Sequence, residues 1–515
     1  MMTKNYNVGK FNMILSTLDE LVPEDHPVRI YDKAIDWTFI YPLVEDLYSS
    51  VGKPSIDPVV LFKIIFINYI DGIHSIRKTC ERCKTDVAYR WFLRINFDEK
   101  IPDHSTYSQN LRRKFIGTNL FREIFEYIIK EAYDANFIDP LNVFGDSTHV
   151  KANANKKKHI DKVVKITENI YYNDLLKDIN QDRVNHNKKP FNINDDDDDK
   201  PNSSNTAPCD DELIKEAAED ELIDTIEDEN GNTVSKTVFD SETGEIKEIN
   251  NKIKYKHIKE STTDPDSGYY HKGEHEKQFA YSASAFCDIN GFILDTYITS
   301  GNIHDSIAFK GLYDSYSNSF LFDLTKLFCL DNGFIGPAVA KTIIDSSKEI
   351  LTPYVRPKTK DGFLKKNEFV YDEYLNGYIC PNNELLTYST TNKNGYREYK
   401  SDSSKCINCP YLSKCTQSKN HIKVISEHVW NNYLEEAEET RYKIGSKEIY
   451  SKRKETIERC FGDGKENFGL RFTRYTGIKK VTQGLLLLFT CMNFKKMARW
   501  KAKKVKDSII FSFCF

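Results

Sequence analysis

Three acidic residues far apart in this 515-residue chain stand where carboxylates can do chemistry. Asp146 follows the apolar run Leu141-Asn142-Val143-Phe144 and its Gly145, and precedes Ser147-Thr148. Asp331 follows Lys326-Leu327-Phe328-Cys329-Leu330 and precedes Asn332-Gly333. Both sit where a strand-like segment gives way to small polar residues. Functional groups collect at such strand ends, because the backbone turns away there and exposes side chains. Glu458 lies in a helical stretch with Arg453 and Lys454. Carboxylates from two strands and one helix could surround Mg²⁺, which takes oxygen ligands and keeps positions open for water. Two such ions activate an attacking water or hydroxyl and stabilise the leaving oxygen in phosphodiester cleavage. The chain has 77 acidic residues, so a plainer reading stands beside this one. Asp331 would then be a turn residue, Asp146 a helix cap and Glu458 a solvated helical position.

A second constellation is made of thiols. Cys406-Ile407-Asn408-Cys409 gives a tight pair, with Cys415 six residues on and Cys380 upstream. Four thiolates so grouped would form a tetrahedral structural Zn²⁺ site. The segment around them is small and β-rich, and would need such a staple. The alternative is four free, half-buried thiols. Cys80 and Cys83 form a similar pair without a second one, and are expected as free thiols. Twelve cysteines in this length are too few for a disulfide scaffold, which points to a reducing, cytoplasmic setting. His271 and His304 fall in polar loops and read as backbone-bonding residues rather than ligands.

The elements that must position these groups follow from patterning. The first 135 residues read as short helices, one capped by Asp57 with Pro58 at its first position, another capped by Asp103 and ending in Arg112 and Arg113. Such a series resembles a helix-turn-helix type of DNA-binding domain. Residues 136–156 and 261–364 carry strands, including a hairpin at Asp288-Ile289-Asn290-Gly291, and a helix opening at Pro337. This order predicts an α/β fold with a mixed sheet flanked by helices. Residues 157–260 read as an acidic insertion, disordered at Asp195–Asp199 and helical from Glu212 to Glu229, with turns at Asn230-Gly231 and Glu242-Thr243-Gly244. Residues 365–425 read as a β-rich insertion holding the four cysteines. Residues 426–515 read as helices, Arg441–Gly462 and Val481–Lys504.

Charge is uneven. Residues 195–229 hold 16 acids against Lys200 and Lys215, while residues 441–515 hold 19 Lys/Arg against 6 acids. A basic block on a chain of net charge −4 suggests a polyanion partner, or else a solvated helical face. No apolar run reaches the ~20 residues of a membrane helix, and no secretory signal opens the chain.

The local wording adds a resemblance. Gly145-Asp146-Ser147-Thr148 followed by Lys151-Ala152-Asn153, then Ser261–Tyr269 with His271-Lys272-Gly273, then Gly301-Asn302-Ile303-His304-Asp305-Ser306, then Leu330-Asp331-Asn332-Gly333-Phe334, then Glu458-Arg459-Cys460-Phe461-Gly462 with Lys465, and finally Asn493-Phe494-Lys495-Lys496, resemble in order the blocks of bacterial insertion-sequence transposases of the DDE class. The resemblance implies a ribonuclease-H-like core with an α-helical N-terminal domain and a β-rich, Cys-containing insertion before the last catalytic helix. It implies Asp146, Asp331 and Glu458 as ligands of Mg²⁺ or Mn²⁺, and Lys465 and Arg453 as contacts to DNA phosphate. It further implies DNA partners (element ends and target), a homodimer in the DNA complex, and a bacterial cytoplasmic protein held at the nucleoid by DNA. A domesticated or inactive relative that only binds DNA is the alternative, and a metal nuclease without strand transfer a weaker one.

Overall fold

The computed structural model describes residues 15–49, 51–52, 55–73, 75–165, 171–191, 220–227, 233–240, 245–250, 255–272, 276–355 and 359–513. The Asp195–Asp199 run and the turns at Asn230-Gly231 and Glu242-Thr243-Gly244 lie outside them. Helices α1 (Pro27–Ala34) and α2 (Pro58–Ile70) both begin with proline, where the missing N–H would have had no partner in any case. Asp57 Oδ1 accepts the Val59 N–H at 2.7 Å and closes the start of α2. Leu61, Phe62, Ile64, Ile65, Phe66, Ile67 and Ile70 bury α2 nearly all round, which places it inside the helical layer. Two short helices, Ile76–Thr85 and Val87–Leu93, share a junction at Asp86. The helix capped by Asp103 loosens into a wider turn over Leu111–Phe115. Helix α3 (Leu120–Asp134) completes this layer.

A six-stranded mixed sheet follows, made of β1 (Asn142–Lys151), β2 (Gly268–Lys272), β3 (Glu276–Cys287), β4 (Ile293–Ser300), β5 (Leu327–Leu330) and β6 (Glu349–Leu351). Its order is β6-β5-β1-β3, with β4 and β2 sharing the far edge of β3. β1, β5 and β6 are parallel, whereas β3 is antiparallel to β1, β2 and β4. Helices α4 (Asp305–Ser317) and α5 (Pro337–Asp345) connect β4 to β5 and β5 to β6. The hairpin at Asp288–Gly291 forms as patterned. Strand β1 does not end at Phe144, because β3 keeps pairing with it from Gly145↔Phe286 to Lys151↔Ala280.

The stretch 157–260 is more built than an acidic insertion. His159–Lys165 pairs with Tyr255–Ser261 as a two-stranded ribbon. A helix, Tyr172–Asn185, docks elsewhere on the molecule. Of the helix expected over Glu212–Glu229, the described part, Asp220–Glu227, is corrected to a strand paired with Thr233–Asp240, and the rest lies outside the described residues. The neighbouring strand offers a backbone ladder there.

The cysteine-bearing segment is a meander of five strands, β7 (Val370–Asp372), β8 (Gly377–Ile379), β9 (Leu385–Thr391), β10 (Tyr396–Lys400) and β11 (Val424–His428). Its last strand passes the expected boundary at 425. The Tyr172–Asn185 helix docks beside it through Asp182 to Arg397 (2.7 Å) and Asp178 to the Trp430 indole N–H (2.6 Å).

The last segment contains α6 (Asn431–Tyr442), α7 (Ile457–Asp463) and α8 (Ile478–Phe513). The single helix expected over Arg441–Gly462 is corrected to several pieces. Gly445 adopts φ +87°, and residues Lys452–Lys454 tighten into a 3₁₀ turn. The Thr456 hydroxyl donates to the Lys452 carbonyl at 2.8 Å, a local bond that competes with helix geometry. Helix α8 lies against α1, α2, α3 and β4. One apolar cluster therefore runs from Val22 to Ala498, joining helical layer and sheet. Trp37 meets Phe66 and Phe494 edge-on at 5.1 and 5.5 Å within it.

Candidate active site

The last register pair of β1 with β5 is Gly145↔Leu330. Asp146 and Asp331 are the next residue on each strand, so parallel pairing alone brings together two acids 185 positions apart. Gly145 lets the strands close. A Cβ there would stand 2.6 Å from Leu330 Cδ2 and 2.9 Å from Phe286 Cε1.

Arg453 joins the pair. Its guanidinium lies 3.0 Å from Asp331 Oδ1 and 3.3 Å from Asp146 Oδ2, and donates to the Gly145 carbonyl at 3.4 Å. The Tyr450 hydroxyl accepts from it at 3.3 Å. The Arg453 side chain is 5% exposed, against 20% for Asp146 and 47% for Asp331. The 3₁₀ turn and the break at Thr456 carry Arg453 inward from the helical path. Arg453 is thus a partner of both carboxylates. Its Nε is buried without a hydrogen-bond partner.

Asp146 is pushed up to about 6. Burial is the main cause, partly offset by Arg453 and by the Ser147 N–H at 2.8 Å. Asp331 and Asp305 push it further up. Asp305, in the first turn of α4, is the acid that sequence reasoning missed. A Cβ on Gly333 would meet Asp305 Oδ2 at 2.7 Å, which sets this carboxylate against the turn after Asp331. The signal was its place in the Gly301–Ser306 block, read there only as wording.

Glu458 is exposed on the first turn of α7, a helix that packs against β1. The structure therefore unites Asp146 and Asp331 directly and leaves Glu458 outside their contact. Among the described residues no three His, Cys, Asp or Glu side chains form a finished metal-ligand set. Carboxylates repel without a cation between them, and the single charge of Arg453 serves two of them. Lys465 is half-buried in the turn Gly464–Phe468, while Arg112 and Arg113 are exposed on Leu111–Phe115.

Two protein-family models match the chain: the transposase domain DUF772 over residues 16–113, and the transposase DDE domain over residues 379–498. The two matches support an insertion-sequence transposase of the DDE class. No curated protein and no solved structure matches it. The DDE match contains Glu458, Lys465 and the four clustered cysteines, and begins after Asp146 and Asp331.

A DDE transposase implies a divalent ion, and the residues present fit one. The donors are carboxylate oxygens, as hard cations require. Two carboxylates, those of Asp146 and Asp331, face the single positive charge of Arg453. Among the described residues no helix is long and apolar enough to cross a membrane.

Proposed function

We propose that this transposase cuts the ends of its element and joins them to target DNA by metal-assisted phosphoryl transfer. The observation that carries the reading is the adjacency of Asp146, inside β1, and Asp331, just past β5, on one buried guanidinium. The strand order, with β1, β5 and β6 parallel and β3 antiparallel to both β1 and β4, supports a ribonuclease-H-like core. Asp146, Asp331 and Glu458 would hold Mg²⁺ or Mn²⁺. When bound, two such ions neutralise phosphate charge and activate the attacking oxygen. The chain's own residues orient rather than attack, because phosphoryl transfer rests on positioning and charge stabilisation. Arg453 fixes the two aspartates in place. Lys465, Arg112 and Arg113 supply DNA phosphate contacts, and pairing of two element ends makes a dimer the working form.

A DNA-binding protein without catalysis is the second reading. The salt bridges from Arg453 to both aspartates favour it, because a paired centre can be purely structural. Incubation with its element ends, a target plasmid and Mg²⁺ separates the two. Cleaved and joined products are expected from the native chain. Asp146→Asn should lower cleavage at least about a hundredfold, the scale of losing one charge-stabilising group, with end binding retained. Equal cleavage by native and Asp146→Asn protein excludes the assignment.

A further inference from the structure

The β7–β11 meander has a very small interior: Phe369, Tyr378, Leu386, Tyr399 and Ile425 are its buried apolar residues. A core this size holds little of a fold by itself. Four thiols stand at one end of it. Cys380 and Cys415 both pack against the cluster. Cys380, Cys406, Cys409 and Cys415 are all half-exposed, whereas Cys80, Cys83, Cys287, Cys329, Cys460 and Cys491 are buried. Ordinary structural cysteines hide, so these four differ as a group.

The backbone around them is arranged for sulfur. In the turn between β8 and β9 the N–H groups of Asn382 and Glu384 both donate to Cys380 Sγ, at 3.4 Å each. Asn383 adopts φ +58° to make that turn. Two N–H donors aimed at one sulfur hold it in place, as hydrogen bonds behind a ligand orient it toward a metal. Lys405 donates to Glu384 at 2.7 Å and so ties the Cys406 segment to the Cys380 turn. The Cys409 N–H donates to the Cys406 carbonyl at 3.0 Å, closing the turn of the tight pair. Lys423 holds the Cys415 carbonyl at 3.0 Å. The Cys415 thiol is raised by burial, lowered by Lys423, and raised again by Cys406, Cys380 and Cys409, which are near enough to be felt. The sulfurs do not form a closed ligand set as they stand, and neighbouring thiolates repel until a cation offsets them.

We propose that Cys380, Cys406, Cys409 and Cys415 bind one structural Zn²⁺, each thiol releasing its proton as its sulfur bonds to the metal. The site is separate from the carboxylate centre and staples the meander, to which the Tyr172–Asn185 helix is docked. The inference does not depend on the transposase reading.

The test uses the full-length protein purified without chelators. Metal analysis should give about one Zn²⁺ per chain, in keeping with a tetrahedral thiolate site. Displacement by a mercurial should release that zinc in step with titration of these sulfurs. Co²⁺ in place of Zn²⁺ should give the intense thiolate-to-cobalt absorption of a tetrahedral site. Cys406→Ser should lose the zinc and Cys80→Ser should keep it. Because loss of the zinc in Cys406→Ser could also follow from unfolding of the segment, thiol labelling of the native chain is the second measure. Zn²⁺ should protect four thiols from a disulfide reagent, and chelation should expose them. Absence of zinc after reconstitution with ZnCl₂, labelling indifferent to zinc, or pairing of these cysteines as disulfides each overturns the proposal.

Discussion

Asp146, on β1, and Asp288, in the turn after β3, are two aspartates that burial pushes up, to about 6 and about 7. Their surroundings differ. Asp288 closes the β3–β4 hairpin: it accepts N–H groups from Phe292 at 2.7 Å and Asp139 at 2.9 Å, with Lys496 close by. Every direction around it is filled by protein. Asp146 accepts one N–H from its own neighbour and shares one guanidinium with Asp331, which is half open to solvent. A raised carboxylate therefore identifies nothing alone. What marks a site is an acid raised by burial whose remaining partners are other acids.

Removing Arg453 is the strongest way to break that contrast. Loss of one partner from a buried charge cluster costs roughly 3–5 kcal/mol, so Arg453→Gln should lower unfolding stability on that scale. It should also make stability depend on divalent ions, because Asp146 and Asp331 are then left without a cation. Thermal unfolding with and without Mg²⁺ checks this. A larger Mg²⁺ shift for Arg453→Gln than for the native chain is expected. Equal shifts would mean that the two aspartates do not form a cation site.

The filled site sharpens the contrast through pH. Asp288 has its folded value near 7, above its ordinary 3.8. Its stabilisation is fully present below about pH 4, where folded and unfolded chains both hold the proton. It is lost as pH rises through about 7, because the unfolded chain gives up its proton first. Asp288→Asn removes this dependence, at the cost of about 1–3 kcal/mol for an imperfectly paired buried group. The deficit of the variant relative to the native chain should thus shrink between about pH 4 and pH 8 in urea titrations. A deficit that grows with pH would reverse the assignment. DNA cleavage near neutral pH should be unaffected, since Asp288 lies outside the carboxylate pair.

How much of this was legible in the sequence follows from the kind of interaction involved. Asp57-Pro58 announced a helix start and Asp288–Gly291 a hairpin, because caps and turns are local. Asp146 and Asp331 were legible as strand-end acids, and parallel register then joined them. Arg453 was not legible as their partner. Its inward path needs the 3₁₀ turn at Lys452–Lys454 and the break at Thr456, which the apolar period of Arg441–Gly462 does not display. The strand at Asp220–Glu227 was hidden for a related reason. Its spacing allows a helix, and only the neighbouring strand decides otherwise.

The basic C-terminal block carries the same lesson for cations. Lys501 donates to the Ala34 carbonyl at 2.8 Å, at the end of α1, and to Glu131 at 2.9 Å. Lys495 does the same for Ile70, the last residue of α2, at 2.8 Å. Lysines at helix C-termini satisfy free carbonyls and the negative end of the dipole. These charges hold helices together and are spent before any polyanion arrives. Arg112 and Arg113, exposed on their turn, are not so engaged. Lys501→Ala should cost about 1 kcal/mol of stability and leave the salt dependence of DNA binding unchanged. Arg112→Ala should leave stability unchanged and reduce the slope of log affinity against log salt by about 1. Filter binding across a salt series, set beside urea unfolding, separates the two. A Lys501→Ala variant that loses salt slope rather than stability would place α8 at the DNA and not in the core.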